Sequence, residues 1–372
     1  MASALFRSGV RVYSRSLKFH RPRGMYCGAG RCISCVMRVN GVPWVRTCVT
    51  PASENMIVET ERGFPTSGTD MFSVLDHIFR RQFDYHSKFV RPAFMTPFYQ
   101  WMIRRLTSSS QIPDRVSYFS ALTRRSCDVL LVGRGLSGAV AQARLESAGV
   151  RSLIVVDRRI APQQGGKATA FGFYETGEVG IESEAGIQLV KAKSVILSTG
   201  RQEVGLVLVN GDLPGVMLPE AVHQLASRGI SPGKAAVIVG ENELKDKVVK
   251  ELTATGVRVL AEAHPDQVLK IVGRKRVSGV DLLRTEGGRA RVGCDLVVEL
   301  GPLVPATGLA QQAGCELRCE SGVWSVRVDN EGQSSVPGIF ACGGAAGFLA
   351  KEERIASGEV AALSAIRFRG GA

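Results

Sequence analysis

Residues 127–159 read CDVLLVGRGLSGAVAQARLESAGVRSLIVVDRR, and this stretch decides the fold of the larger part of the chain. Val129–Val132 make a short apolar strand, Gly133, Gly135 and Gly138 spell G-x-G-x-x-G, Ala139–Ala148 have a helical pattern, and a second strand ends at Asp157. Each part has a physical role. Gly133 permits the tight turn, Gly135 lets a pyrophosphate approach the backbone, and Gly138 lets helix and strand pack closely. The helix N-terminus holds phosphates through its free N–H groups and its dipole. Asp157 follows Gly133 at the distance where a carboxylate accepts from an adenosine ribose hydroxyl. The order of strand, helix, strand and acid points to FAD or NAD rather than a merely structural turn. The expected contacts are Gly133, Gly135, Leu136, Ser137, Gly138, Asp157 and Arg158.

Working outward, two later segments resemble those of two-dinucleotide-binding flavoproteins. SVILSTGRQE (194–203) is similar to their strand and Ala-Thr-Gly crossing, with Ser198 in place of Ala and with Thr199 and Gly200 as cofactor contacts. SSVPGIFACGGAAG (334–347) is similar to the second flavin-binding segment, with Gly343 kept and Gly344 where the family has Asp. The lost carboxylate implies that FAD binds differently or that NAD or ATP takes its place. Between them, KAAVIVGENELKDKVVKELTATGVRVLAE (234–262) has strand, turn, helix, strand and acid in order, but its fingerprint is degraded. Gly240 remains, while Asn242 and Lys245 stand at the second and third glycine positions, where side chains block a pyrophosphate. Oxidation of NAD(P)H at this subdomain is therefore not expected. Cys342 reads as packing, not as a nucleophile. After Asp157 the chain reaches TAFGFYETGEVGI (169–181) in about a dozen residues where relatives use several times that, and QQGGKATA (163–170) reads as the junction of a deletion.

The other strong signal lies in the first seventh of the chain. Cys27, Cys32, Cys35 and Cys48 read C-x4-C-x2-C-x12-C, the spacing of plant-type [2Fe-2S] ferredoxins. Three thiolates on one tight loop must wrap two irons, so Gly24, Gly28 and Gly30 fall where the backbone folds over, and Arg21, Arg23 and Arg31 are expected to offset the negative cluster. Asn40-Gly41 joins two alternating segments as a hairpin that carries Cys48 back to the loop. Structural zinc, the alternative, usually shows two C-x2-C pairs. Of the remaining five cysteines, four read as inert packing or surface thiols.

SRSLKFHRPRGMYCGAGRCISCVMRVNGVPWVRTCVTP (14–51) resembles the ferredoxin-like segment of the sarcosine oxidase alpha subunit family, which includes alpha-like subunits of dye-linked proline dehydrogenases and opine oxidases. Relatives carry a further β-hairpin before the equivalent of ASALFRSGVRV (2–12), which is missing here, and a C-terminal folate-binding domain, also missing, so one-carbon transfer to tetrahydrofolate is not expected. The resemblance implies that amine oxidation takes place on a flavin in a separate beta subunit while this chain relays electrons toward an acceptor. None of His20, His77, His86, His223 and His264 stands in a catalytic constellation, and no catalytic residue is assigned; His20 reads as a loop residue ordered near the cluster.

The 372 residues carry a net charge of +13, and nine cations precede the first acid, Glu54. With 45% hydrophobic residues and no apolar run long enough to span a membrane, the composition excludes disorder as the main state and a transmembrane protein. The acid-free start has three readings: a transit peptide, a nucleic-acid face, or cations around an anionic cofactor or acidic redox partner. The cysteine cluster favours the last. Residues 66–126 hold 11 of the 24 aromatics, mixed with Arg80, Arg81, Arg91, Arg104 and Arg105. Broken by prolines and lacking an RNA-binding motif, they suit a connecting arm packed across domains or against a partner subunit, not nucleic acid.

The fold expected is α/β with an α+β N-terminal part: a ferredoxin-like β-grasp [2Fe-2S] domain over 1–65, the arm over 66–126, a Rossmann-like FAD/NAD(P) flavoprotein domain over 127–233 and 301–372, and the degenerate second subdomain inserted over 234–300. The expected function is electron transfer within a heteromeric amine or imino-acid dehydrogenase or oxidase, whose partner is a flavoprotein beta subunit. Two alternatives stand beside it, a self-contained NAD(P)H-dependent reductase and a nucleotide-binding structural subunit. The cysteine usage suggests a reducing cytoplasm, and the basic start allows peripheral contact with an anionic membrane.

Overall fold

Strand length in this chain is set by ladder pairing as much as by apolar runs. The strand that opens the G-x-G-x-x-G turn spans Leu122–Val132, longer at its start than the apolar Val129–Val132. Residues Leu122–Ser126 are exposed, yet they pair in parallel with Ile187–Lys191 and are held by hydrogen bonds rather than by burial. The following helix covers Leu136–Ser147, begins earlier than the sequence pattern implies, and has Gly135 as N-cap. Its buried face is Ser137, Gly138, Ala141 and Leu145, small residues followed by one leucine, which lets it lie close on the sheet.

The computed structural model describes all residues except 17–19, 61–62, 64–65, 72–92, 99, 102–121, 158–167, 184–185, 285–286 and 371–372. Most of the expected arm, with its five arginines, lies outside the described residues, as do His77, His86, Arg158 and the first half of the junction segment.

The chain divides into two compact units, one of 1–116 with 203–302, the other of 117–202 with 303–372. In the second unit, Leu122–Val132 lies between Leu153–Val156 and Gly186–Leu197, all parallel. Gly186–Leu197 serves two pairings, since its first half pairs antiparallel with Glu178–Ser183 and its last residues pair in parallel with Ile339–Ala341. Ala168–Phe173 closes the sheet antiparallel to Glu178–Ser183. One face packs against the helices Leu136–Ser147 and Lys351–Gly370 through Val129, Leu131, Ala141, Leu145, Ala361 and Ala365.

In the first unit, a parallel sheet runs in the order Val216–Met217, Leu296–Leu300, Ala235–Gly240, Arg258–Ala263. The cysteine-bearing segment forms two small antiparallel sheets, Ser14–Arg15 with Pro22–Arg23, and Val42–Arg46 with Val36–Val39 and Val58–Glu59. At its start, Ala2–Arg7 is helical and buries Ala2 and Phe6. A single core joins this segment to the parallel sheet: Phe6, Tyr13, Met25, Cys35 and Cys48 pack with Met217, Ala221, Leu225, Ile238 and Leu252. Each large side chain buried there contributes about 1.5–3 kcal/mol, enough to hold two small sheets that would be marginal alone. The segment 203–233, read from sequence as part of the first nucleotide domain, lies within this unit and supplies the helix Pro219–Ala226 against which the cysteine loop packs.

Candidate functional site

The four cysteines meet because a loop and a hairpin bring them together. Asn40 and Gly41 both have positive φ, 49° and 79°, the requirement of a two-residue type I′ turn, so Val36–Val39 pairs back with Val42–Arg46. Thr47 then fastens the return, its amide and hydroxyl both donating to the Cys35 carbonyl. Within the loop Gly28 is left-handed, and a Cβ on it would come within 2.6 Å of Ala221 Cα, so the loop lies directly on the helix Pro219–Ala226. Leu218 N–H donates to the Tyr26 carbonyl at 2.9 Å, and the Gln224 amide donates to the Cys48 carbonyl.

Cys27, Cys35 and Cys48 are buried and Cys32 is partly exposed. Loop amides turn inward to the sulfurs: Ala29 and Cys32 N–H to Cys27 Sγ at 3.4 and 3.5 Å, and Gly30 N–H to Cys48 Sγ at 3.2 Å. Hydrogen bonding from Cys32 and Cys48 holds Cys27 far below its ordinary range, and the same Cys48 thiol, shared with Cys35, brings the latter down to about 7. The donors Cys32 and Cys48 are pushed up in return. Buried sulfurs ringed by N–H donors are a cradle for thiolate charge, and they fit a [2Fe-2S] cluster.

The arginines expected to offset the cluster are engaged elsewhere. Arg21 and Arg23 both bind Asp212 at 2.8 Å, and Arg31 lies 3.6 Å from Glu203. Local sequence could not show this, because both carboxylates come from far along the chain. His20, expected near the cluster, is buried with Nδ1 2.9 Å from Asp70 Oδ2, and Arg15 flanks the same carboxylate at 3.6 Å.

In the second unit two glycines of the fingerprint make close backbone contacts. A Cβ at Gly133 would stand 2.1 Å from the Ser198 carbonyl oxygen, and one at Gly138 would stand 2.0 Å from the Gly133 carbonyl oxygen. Asp157 is buried, and its Oδ2 accepts from Arg134 N–H within the turn at 2.6 Å. Thr199 Oγ1 donates to Ala306 O at 2.7 Å, and Gly200 O accepts from Ala306 N–H, which fixes the crossing after the third parallel strand. Gly343 comes against Ser137, whose Oγ would lie 2.2 Å from a Cβ there, and Gly343 N–H donates to Ser357 Oγ at 3.0 Å. Leu136 opens the helix and is exposed beside this cradle. The glycine turn and the helix N-terminus that follows it fit the pyrophosphate end of a dinucleotide. At Gly344 the missing carboxylate has a physical counterpart: a Cβ would lie 2.7 Å from Arg201 Cγ, so an arginine stem occupies the space an aspartate would need. Cys342 is wholly buried and pushed up to about 11 by that burial, which leaves it an inert packing thiol.

The degraded turn of the first unit is plugged by its own side chains. Gly240 keeps the tight turn at φ 93°, but Asn242 bridges Gly301 O and Leu244 N at 2.7 and 2.9 Å, filling the approach to the helix Lys245–Ala254. Lys245 ties Glu241 and Glu262 at 3.0 and 2.7 Å, so the acid that would meet a ribose is already paired. Sequence reading missed Tyr26, Glu203, Glu299 and Arg201. The run LVVEL (296–300) carries one signal, a lone carboxylate in an otherwise apolar strand.

Residues 1–63 match the 2Fe-2S iron-sulfur cluster binding domain, and residues 233–365 match the pyridine nucleotide-disulphide oxidoreductase family. The alpha subunit of sarcosine oxidase from Rhizobium meliloti (strain 1021) is 26% identical over 351 residues, covering 78% of this chain and 35% of that protein. The A subunit of opine oxidase from Rhizobium meliloti is 26% identical over 232 residues, covering 50% of this chain and 44% of that protein. The chain thus spans less than half the length of these relatives. L-proline dehydrogenase from P.horikoshii has the same fold, with a TM-score of 0.71 at 17% identity over 99% of this chain and 70% of that one. The chain is thus similar to the sarcosine oxidase alpha and opine oxidase A subunits, and its two matched segments are a [2Fe-2S] cluster binding domain and a pyridine nucleotide-disulphide oxidoreductase domain. No helix among the described residues is long and apolar enough to cross a membrane.

Proposed function

For this homologue of sarcosine oxidase alpha subunits, we propose electron relay within a heteromeric flavin-dependent dehydrogenase or oxidase acting on an amine or imino acid, with the substrate site on a partner flavoprotein subunit. A flavin accepts two electrons and releases them singly, and a [2Fe-2S] centre takes one at a time. Cys27, Cys32, Cys35 and Cys48 would hold the cluster. Gly133, Gly135, Leu136, Ser137, Gly138 and Gly343 would seat the FAD pyrophosphate, and Asp157 would exchange its bond to Arg134 N–H for one to the ribose. Thr199 and Gly200 would shape the crossing behind it. The partner is proposed because the matched relatives are named as subunits.

The observation that carries this reading is the plug formed by Asn242 and Lys245 in the same chain as four convergent thiols. A chain that cannot seat a nicotinamide dinucleotide there, yet holds a one-electron centre, needs its reducing equivalents from another donor. Anaerobic titration of the purified, FAD-loaded protein tests this. NADH is expected to leave the flavin spectrum oxidised while dithionite bleaches it. Full bleaching by NADH alone would overturn the relay in favour of a self-contained reductase.

A further inference from the structure

Glu299 is wholly buried in the strand Leu296–Leu300, where a carboxylate needs partners for both oxygens. Oε2 has two, accepting from Tyr26 Oη at 2.8 Å and from Leu206 N–H at 3.0 Å. Oε1 has none. The wall around the carboxyl is backbone: a Cβ at Gly205 would lie 1.7 Å from Tyr26 Oη, and one at Gly211 would lie 3.3 Å from Glu299 Oε1. These glycines leave a slot that the phenol and the carboxyl fill.

Tyr26 directly precedes Cys27, so a single phenol separates the orphaned carboxyl from the loop of thiols. Besides Tyr26, the groups facing Glu299 are the Leu206 amide and the apolar neighbouring strands, with Val239 in register beside it. Cys27 and Cys32 lie behind the phenol. On the adjoining segment Asp212 is held by Arg21 and Arg23, while Glu203, 3.6 Å from Arg31, is itself raised to about 7 by burial and is the second carboxyl that can titrate beside the loop. No cation among the described residues faces Glu299, so nothing but a proton can offset its charge. Burial already raises Glu299 to about 7. Any further negative charge on the loop acts through a low-dielectric interior and favours protonation more strongly.

We propose that Glu299 is a redox-linked proton acceptor: as one electron enters the thiol-bound centre, one proton from solvent binds Glu299 Oε1, while the Tyr26 phenol, beside the thiol loop, donates to Oε2. The electron comes from a reduced flavin, or from dithionite in the test. The only bond made is the O–H on Glu299, and the proton gives the orphaned oxygen its missing hydrogen. This rests on the reading of the four cysteines as [2Fe-2S] ligands.

The test is the midpoint potential of the full-length, cluster-loaded protein, titrated with dithionite and followed by EPR between about pH 6 and pH 9. The wild type is expected to lose up to tenfold in its reduction equilibrium per pH unit through the window where Glu299 ionises, about 59 mV per unit for one electron. Glu299→Gln is expected to lose the larger part of the slope, whereas Glu203→Gln, which neutralises the half-buried carboxyl beside Arg31, keeps it. Tyr26→Phe removes a donor to the ionised carboxylate, so the break in the curve moves to higher pH. A flat wild-type curve overturns the proposal, as does a slope whose larger part survives in Glu299→Gln or vanishes only in Glu203→Gln. If Glu299→Gln does not fold, an unmoved break in Tyr26→Phe overturns it instead. A wild type without any EPR signal at every pH defeats the cluster reading itself, a different failure from a signal with a flat potential.

Discussion

At the scale of single residues, burial sets the chemistry more than sequence identity does. Glu299 is raised from 4.5 to about 7 by burial, against the opposing bonds from Tyr26 and Leu206. In that window the folded chain keeps its proton while the unfolded chain has lost it, so the folded state binds more protons and stability falls as pH rises. The penalty is absent below the unfolded value, grows through the window, and reaches roughly 3 kcal/mol above the folded value. Thermal unfolding between about pH 4.5 and pH 8 is expected to show this decline. Glu203 is raised to about 7 by burial as well, so Glu299→Gln should remove only its own share of the decline, and an unchanged decline would refute the assignment. The Tyr26–Glu299 pair is not legible in the sequence because the two are 273 positions apart, and pairing over that distance leaves no local pattern.

At the scale of elements, the sequence was most legible where backbone conformation dictates residue type. Asn40-Gly41 has the two positive φ values that its hairpin requires. Gly41→Val should therefore destabilise the hairpin by about 1–2 kcal/mol, the cost of a left-handed conformation without glycine. The displaced return of Cys48 should lower the iron bound per chain. Iron content equal to wild type would show that the turn does not govern cluster assembly. Gly138→Ala should act on the other unit, because its Cβ would lie 2.0 Å from the Gly133 carbonyl oxygen. Loss of FAD with iron content unchanged is expected, measured by absorbance and iron assay on the same sample. Retained FAD would contradict the role of this close approach. The strand Leu122–Val132 was less legible, since its exposed first residues form it through pairing with Ile187–Lys191 and carry no apolar signature.

For the whole molecule, the division into units is the largest departure from what spacing and composition implied. The cysteine segment shares one core with the degenerate nucleotide fold, and residues 203–233 belong to that body. A retained but plugged nucleotide fold thereby has a physical use: its helix Pro219–Ala226 and strand Leu296–Leu300 form the bed on which the thiol loop rests. Sequence reading saw that its turn was damaged, but not what its surface carried. Reopening the turn should not create a reductase by itself. In Asn242→Gly the Lys245–Glu262 pair at 2.7 Å still blocks the ribose position, so flavin reduction by NADH should stay absent in an anaerobic stopped-flow trace. Rapid NADH oxidation in that variant would mean that Asn242 alone closes the site.

The central claim, one-electron relay through Cys27, Cys32, Cys35 and Cys48, is tested most directly by low-temperature EPR of the anaerobically purified chain before and after dithionite. The expected result is silence when oxidised, a [2Fe-2S] signal when reduced, and loss of that signal in Cys32→Ser with the fold intact by circular dichroism. A reduced protein without signal, carrying zinc or no metal on the four thiols, would contradict the account.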